Sequence, residues 1–322
     1  MPKPRPILDS SLLLPPVSPE QYAYFENAAE HPFQADAAEP SLVNAWWLAE
    51  CGLAAYAHEA MAAQIYRLGG LRIAGTVSGT HFGGCCYVLV DEKKIILAFR
   101  GTRVVKADHL KDAETFRKQV RKVLRDVSTD AKVRQVPWAG RSGGMVHRGF
   151  ADSFNELLPN IQNLVALLRA ENPQLHLWLT GHSLGAALAT LAAECLDDVQ
   201  GIHLFGSPQV GDSEFALKFV LRGWRFRHHA DVICWAPSGM LGYQHVKPGA
   251  YFDCDGLPGT EPHSIGLLSD WLKGLPGNAV DVWASLRQGG FSSLAPEAFN
   301  DHAPIFYAVL TWNAYEAQQR DD

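Results

Sequence analysis

The residues best suited to chemistry lie mid-chain, in Gly181-His182-Ser183-Leu184-Gly185. A serine with a glycine two positions away on either side fits a turn too tight for side chains at those positions. Such a serine is a candidate nucleophile for acyl transfer. Its hydroxyl is weak at neutral pH, so it needs a base within hydrogen-bond reach and a carboxylate to orient that base. It also needs two donors aimed at the oxygen that becomes negative.

The flanking residues supply the context. Leu175, Leu177, Trp178 and Leu179 form an apolar run of strand length, and Ala186 to Ala193 are small residues or good helix formers. Strand, turn and helix together make a nucleophile elbow, with the helix N-terminus pointing free N–H groups at a nascent oxyanion. In sheets of the α/β-hydrolase type the acid and then the base follow the serine, on loops after later strands. Asp231 follows an apolar-aromatic strand, about Trp224 to His228, and is the favoured acid. Asp212 has the position of a helix N-cap, and Asp253 and Asp255 sit at a hairpin. His245, His263 and His302 lie beyond Asp231. His302, in a loop before a strongly apolar helix, is favoured as base, with His263 as the alternative. The first oxyanion donor is the N–H of Leu184. Thr102, just past the strand Ile95 to Phe99, is placed to be the second.

The remaining elements must position these residues. Residues 1–40, rich in Pro, Glu and Ala, read as a surface arm. Ser41 caps a helix expected to run to about Tyr66. A strand near Leu71 to Val77 follows, then a hairpin pairing Tyr87 to Val90 with Ile95 to Phe99. Val104 to Leu124 reads as an amphipathic helix, with Leu110, Phe116 and Val120 on its apolar stripe and several basic residues elsewhere on the wheel. A long helix, about Ala151 to Ala170, precedes the elbow. A strand at Ile202 to Phe205, a helix at Ser213 to Leu221, a hairpin around Gln244 to Asp253 and a closing helix complete the chain. Strands alternating with helices predict one α/β domain with a mostly parallel central sheet and helices on both faces.

The 322 residues are 47% hydrophobic and 19% charged, with a net charge of −6, which is a globular balance with a large core. No basic run suits a phosphate backbone, which argues against nucleic acid. No apolar stretch reaches the roughly 20 residues of a membrane span. Pro15 and Pro16 cut the Leu12-Leu13-Leu14 patch short of a signal-peptide core, so the chain reads as cytoplasmic or as a mature secreted form. The six cysteines match no metal or disulfide framework, although a Cys234–Cys254 bridge is open.

Several stretches together resemble the class 3, or fungal-type, lipases. These are Phe99-Arg100-Gly101-Thr102, Val146-His147-Arg148-Gly149-Phe150, Gly181 to Ala187, Gly206 to Asp212, His228 to Ile233, and Asp301-His302 with Tyr307. The resemblance implies an α/β-hydrolase fold and a serine esterase acting on lipid esters, most simply a lipase cleaving acylglycerols without metal or organic cofactor. It assigns Ser183 as nucleophile, Asp231 as acid, His302 as base, and Thr102 and Leu184 as oxyanion donors. The Asp-His-then-Tyr pattern favours His302 over His263. Cys234 and Gln209 depart from residues common in the family, and residues 104–124 look inserted before a stretch that resumes near Asp126 to Asp130. The resemblance implies that this insertion is a lid or cap that meets substrate and, transiently, a lipid–water interface. A carboxylesterase, a phospholipase or an aromatic-acid or polyester esterase would use the same machinery. A non-catalytic lipase-like binding domain is the alternative of another class.

Overall fold

A computed structural model describes residues 15–80, 83–101, 113–128, 134–220, 222–237, 239–246, 248–260 and 299–321. Its centre is an eight-stranded sheet. The strands are β1 (Arg72–Ser78), β2 (Cys85–Val90), β3 (Lys94–Arg100), β6 (His176–His182), β7 (Val199–Phe205), β8 (Arg225–His228), β9 (Gly249–Phe252) and β10 (Pro258–Thr260), in the order β1-β2-β3-β6-β7-β8-β9-β10. The run from β3 to β9 is parallel, and antiparallel pairs close both edges. The short strands β4 (Gln135–Pro137) and β5 (Met145–His147) pair separately.

The helices are α1 (Leu42–Ala54), α2 (Glu59–Leu68), α3 (Ala113–Ser128), α4 (Arg148–Glu171), α5 (Leu184–Cys195), α6 (Ser213–Lys218) and α7 (Pro304–Asp321). Helices α1 and α7 pack together, and α1 covers β3, β6 and β7. Helices α4 and α5 pack together and α5 lies over the same three strands, so the sheet is sandwiched between two helical layers. Strands β2, β3 and β6 are buried almost throughout, as parallel or centrally placed strands covered on both faces must be.

Ser41 caps α1 as expected, its hydroxyl accepting the Asn44 N–H. The helix does not continue to Tyr66. It breaks after Ala54, and the ring of His58 accepts the Met61 N–H to start α2. The second hairpin also differs: it joins β9 to β10, so Gln244 and His245 precede it and Gln244 only bridges to Gly211. Residues 15–40 bury several side chains. Tyr24, Phe25 and Phe33 are buried, Phe33 meets Trp178 edge-on at 5.0 Å, and the Trp178 indole donates to the Ala35 carbonyl. All six cysteines are free thiols, so no Cys234–Cys254 bridge exists. No described helix is long and apolar enough to cross a membrane.

Candidate active site

Strand β6 ends at His182 and helix α5 begins at Leu184, so Ser183 alone makes the turn. Its backbone sits at φ 59° and ψ −128°, a region a serine occupies only when its surroundings hold it there. The Ser183 N–H donates to the Phe205 carbonyl at 3.0 Å, which fixes the turn to β7. The hydroxyl does not cap α5 and is left for other work. The two glycines are required by close approach. A Cβ at Gly181 would lie 2.3 Å from the Gly185 carbonyl, and one at Gly185 would lie 2.2 Å from the Phe99 carbonyl oxygen. The Leu184 N–H is in the first turn of α5 and has no acceptor within the helix.

Asp231 follows β8 and caps the short 3₁₀ turn Val232–Trp235, one oxygen accepting the Ile233 N–H at 2.9 Å. Nδ1 of His302 lies 2.9 Å from both carboxylate oxygens, and the Tyr307 hydroxyl donates to Oδ2 at 2.6 Å. Asp231 is fully buried. Burial alone would raise its pKa, but the His302 imidazole and the hydrogen bonds from His302 and Tyr307 outweigh it and hold the carboxyl well below its usual range. The bond to Asp231 puts the His302 proton on Nδ1 and leaves Nε2 as an acceptor. Among the described residues neither Nε2 of His302 nor Oγ of Ser183 carries a hydrogen bond.

His182 links the elbow to the loop of His302. Its Nε2–H donates to the His302 carbonyl at 2.8 Å, since a carbonyl can only accept. Its Nδ1 therefore accepts from the Tyr56 hydroxyl, also at 2.8 Å. Burial, then repulsion from His302, pushes the His182 pKa well down, so the ring is neutral. Tyr56 stands where α1 breaks, and a Cβ at Gly101 would fall 2.2 Å from its hydroxyl and 2.9 Å from the His182 carbonyl oxygen. The end of β3 thus passes directly beside the elbow. Thr102, the next residue, lies outside the described residues, as do Leu110 and His263.

The other candidates have different duties. Asp212 caps α6 through the Phe215 N–H, as its position suggested. Asp253 accepts the N–H groups of Asp255 and Leu257 within the β9–β10 turn. His245 is bound to the Cys234 carbonyl, and burial lowers its pKa. His147 caps α4 and its other ring nitrogen donates to the Val127 carbonyl. Among the described residues no group of three or more His, Cys, Asp or Glu could hold a metal. Two participants were not evident from sequence. Gly206, at φ +54°, lies under the acid and base, where a Cβ would fall 2.7 Å from Asp231 Oδ2 and 3.1 Å from His302 Nδ1. Tyr56 is separated from His182 by 126 residues, and only the helix break between α1 and α2 could have hinted at it.

Helix α3 covers part of the expected insertion but runs on through Ser128, because Val120, Leu124 and Val127 continue one buried stripe. The helix packs against the 3₁₀ turn that follows Asp231. Arg117 Nε donates to Asn300 Oδ1 at 3.3 Å, and the Arg121 guanidinium lies 4.8 Å from the Phe299 ring centre. Residues 104–112 and the side chain of Phe116 lie outside the description.

Residues 96–240 match the family model described as "Lipase (class 3)". The chain is 30% identical over 190 residues to a secreted mono- and diacylglycerol lipase of Fusarium solani, covering 56% of this chain and 51% of that one. It is 36% identical over 141 residues to a phospholipase A1-II of Oryza sativa subsp. indica, covering 35% and 29%. The chain therefore spans about half the length of the first relative and less of the second. A solved triacylglycerol lipase, whose catalytic centre is a serine-protease triad, superposes with a TM-score of 0.57 at 20% identity, over 72% of this chain and 91% of that one, and shares the fold. With its elbow and its sheet order the chain has the α/β-hydrolase fold, and over residues 96–240 it is similar to the class 3 lipases.

Proposed function

We propose that this protein is a serine carboxylester hydrolase, a lipase that cleaves acylglycerol esters through an acyl-enzyme. The observation that carries this reading is the buried Asp231–His302 pair at 2.9 Å, tied through His182 to a serine held in a strained elbow. Ser183 attacks the ester carbonyl while Nε2 of His302 takes its proton. Asp231 holds the imidazole in the required tautomer and stabilises its charge. The N–H of Leu184 and the backbone or hydroxyl of Thr102 receive the oxyanion, each donor being worth roughly 10²–10³ in rate. His302 then protonates the leaving alcohol and activates the water that frees the acid. No step calls for a metal or organic cofactor.

Within one α/β-hydrolase domain, helix α3 and the residues before it act as the lid, with Leu110, Phe116 and Val120 on its substrate side. The phospholipase relative favours a second reading, in which the acyl donor is a glycerophospholipid. The Fusarium relative is named as secreted, which is compatible with a mature secreted form here.

The test is hydrolysis of p-nitrophenyl esters from acetate to palmitate, with and without micelles, by wild type, Ser183→Ala and His302→Ala. Both variants should lose nearly all activity, and long chains should gain with micelles. Retained activity in either variant would refute the triad. Failure of an organophosphonate to label Ser183 would point instead to a binding domain.

A further inference from the structure

Two loops carry the acid and the base, and they are fastened by more than the Asp231–His302 contact. Asp301 immediately precedes His302, and His229 and Ala230 immediately precede Asp231. The Asp301 carboxylate accepts from His229 Nδ1 at 2.8 Å and from the Ala230 N–H at 3.2 Å. The Asp301 backbone carbonyl lies 3.1 Å from His228 Nδ1, which can donate to it. The His228 N–H donates to the Tyr307 hydroxyl at 3.1 Å, and that hydroxyl donates onward to Asp231. Every one of these groups is buried.

His229 adopts φ +30°, a left-handed value that a non-glycine residue avoids unless it is held. Its N–H donates to the Phe252 carbonyl at 2.7 Å. The backbone is thus strained at the residue whose ring donates to the Asp301 carboxylate. A buried carboxylate so close to the base needs partners of its own, and here they come from the acid's loop.

We propose that His229 and Asp301 form a clasp that sets the spacing between the loops of Asp231 and His302, and so act as positioning residues for the base. The proposal rests on the reading of Ser183, Asp231 and His302 as a triad. Neither clasp residue touches substrate. Asp301 ties the residue before His302 to the acid's loop while His182 holds the His302 carbonyl, so the imidazole has little room to swing away from Asp231. An error of about 1 Å in such a group can cost roughly 10²-fold in rate.

The test compares wild type with Asp301→Ala, His229→Ala and His229→Asn on a soluble p-nitrophenyl ester, alongside the downfield proton resonance of the His302 Nδ1–H. Asp301→Ala should lower kcat by about 10–100-fold with KM unchanged, and the resonance should broaden or vanish. His229→Ala should do the same more mildly. His229→Asn places an amide N–H near the position of Nδ1 and should recover both kcat and the resonance. A purely structural role would lower the melting temperature of Asp301→Ala while leaving kcat and the resonance intact, and that result would overturn the clasp. Should Asp301→Ala not fold, the two His229 variants decide: equal behaviour of Ala and Asn refutes the proposal. If wild type hydrolyses no ester, the lipase reading fails, but the resonance needs no turnover and still tests the clasp.

Discussion

Tyr307 shows how much a single hydroxyl carries at this site. It donates to Asp231 and accepts from the His228 N–H, both in full burial. Tyr307→Phe removes one of the bonds that hold the Asp231 carboxyl low and orphans a buried N–H. Stability at neutral pH should fall by about 1.5–3 kcal/mol, measured by urea unfolding. The His302–Asp231 bond survives the change, so kcat should fall far less than the roughly 10⁴-fold seen when a triad acid is lost, with KM unchanged. At this scale the sequence was informative wherever a residue acts in its own turn. The turn at Ser183, the strand end before Asp231 and the Asp212 cap were legible because strand ends and helix starts leave local signals. Tyr56 and Gly206 were not, because their duties depend on neighbours reached only through the fold.

Between elements, the decisive contact is backbone on backbone. Helix α5 lies so close to the end of β3 that Gly185 has no room for a methyl group against the Phe99 and Arg100 backbone. No side chain can rotate away to relieve that clash. Gly185→Ala should cost about 3 kcal/mol and abolish esterase activity, since α5 and the Leu184 N–H must shift together; the paired measurements are urea midpoint and ester hydrolysis. Element boundaries were less legible than elements. The apolar pattern runs on through Ala55 and Tyr56, yet the chain breaks there to aim Tyr56 at His182. Helix α3 overran its expected end because Val127 extends the buried stripe by one more turn. The last hairpin was misplaced because β9 is chosen by its parallel partner β8, a pairing of distant segments that no local pattern reports.

For the molecule as a whole, buried neutral histidines tie stability to pH. His203 lies in an aromatic cage of Trp178, Trp224 and Phe226, and burial pushes its pKa down to about 3; burial also lowers His182. The unfolded chain binds protons at these sites near pH 6.5 while the folded protein does not. Stability is therefore full above that pH and falls as pH drops from about 6.5 toward 3. Asp231 behaves oppositely to a raised group: its depressed pKa stabilises the fold above the usual carboxylate range and is lost only in stronger acid. Between pH 7 and 5, His203 alone should account for about 2 kcal/mol of lost stability, and His203→Phe should flatten that part of the urea-midpoint profile.

The parallel sheet also fixes when the site can exist. Asp231 and His302 are 71 residues apart, and His182 is 120 residues from the carbonyl it holds. None of these contacts can form within a locally folded segment. A ribosome making this chain releases Ser183 before Asp231, and Asp231 before His302. The Asp231 carboxylate therefore has neither its imidazole nor its tyrosine partner until residues 302–307 have been made and docked, so synthesis order sets when this hydrogen-bonded group can assemble.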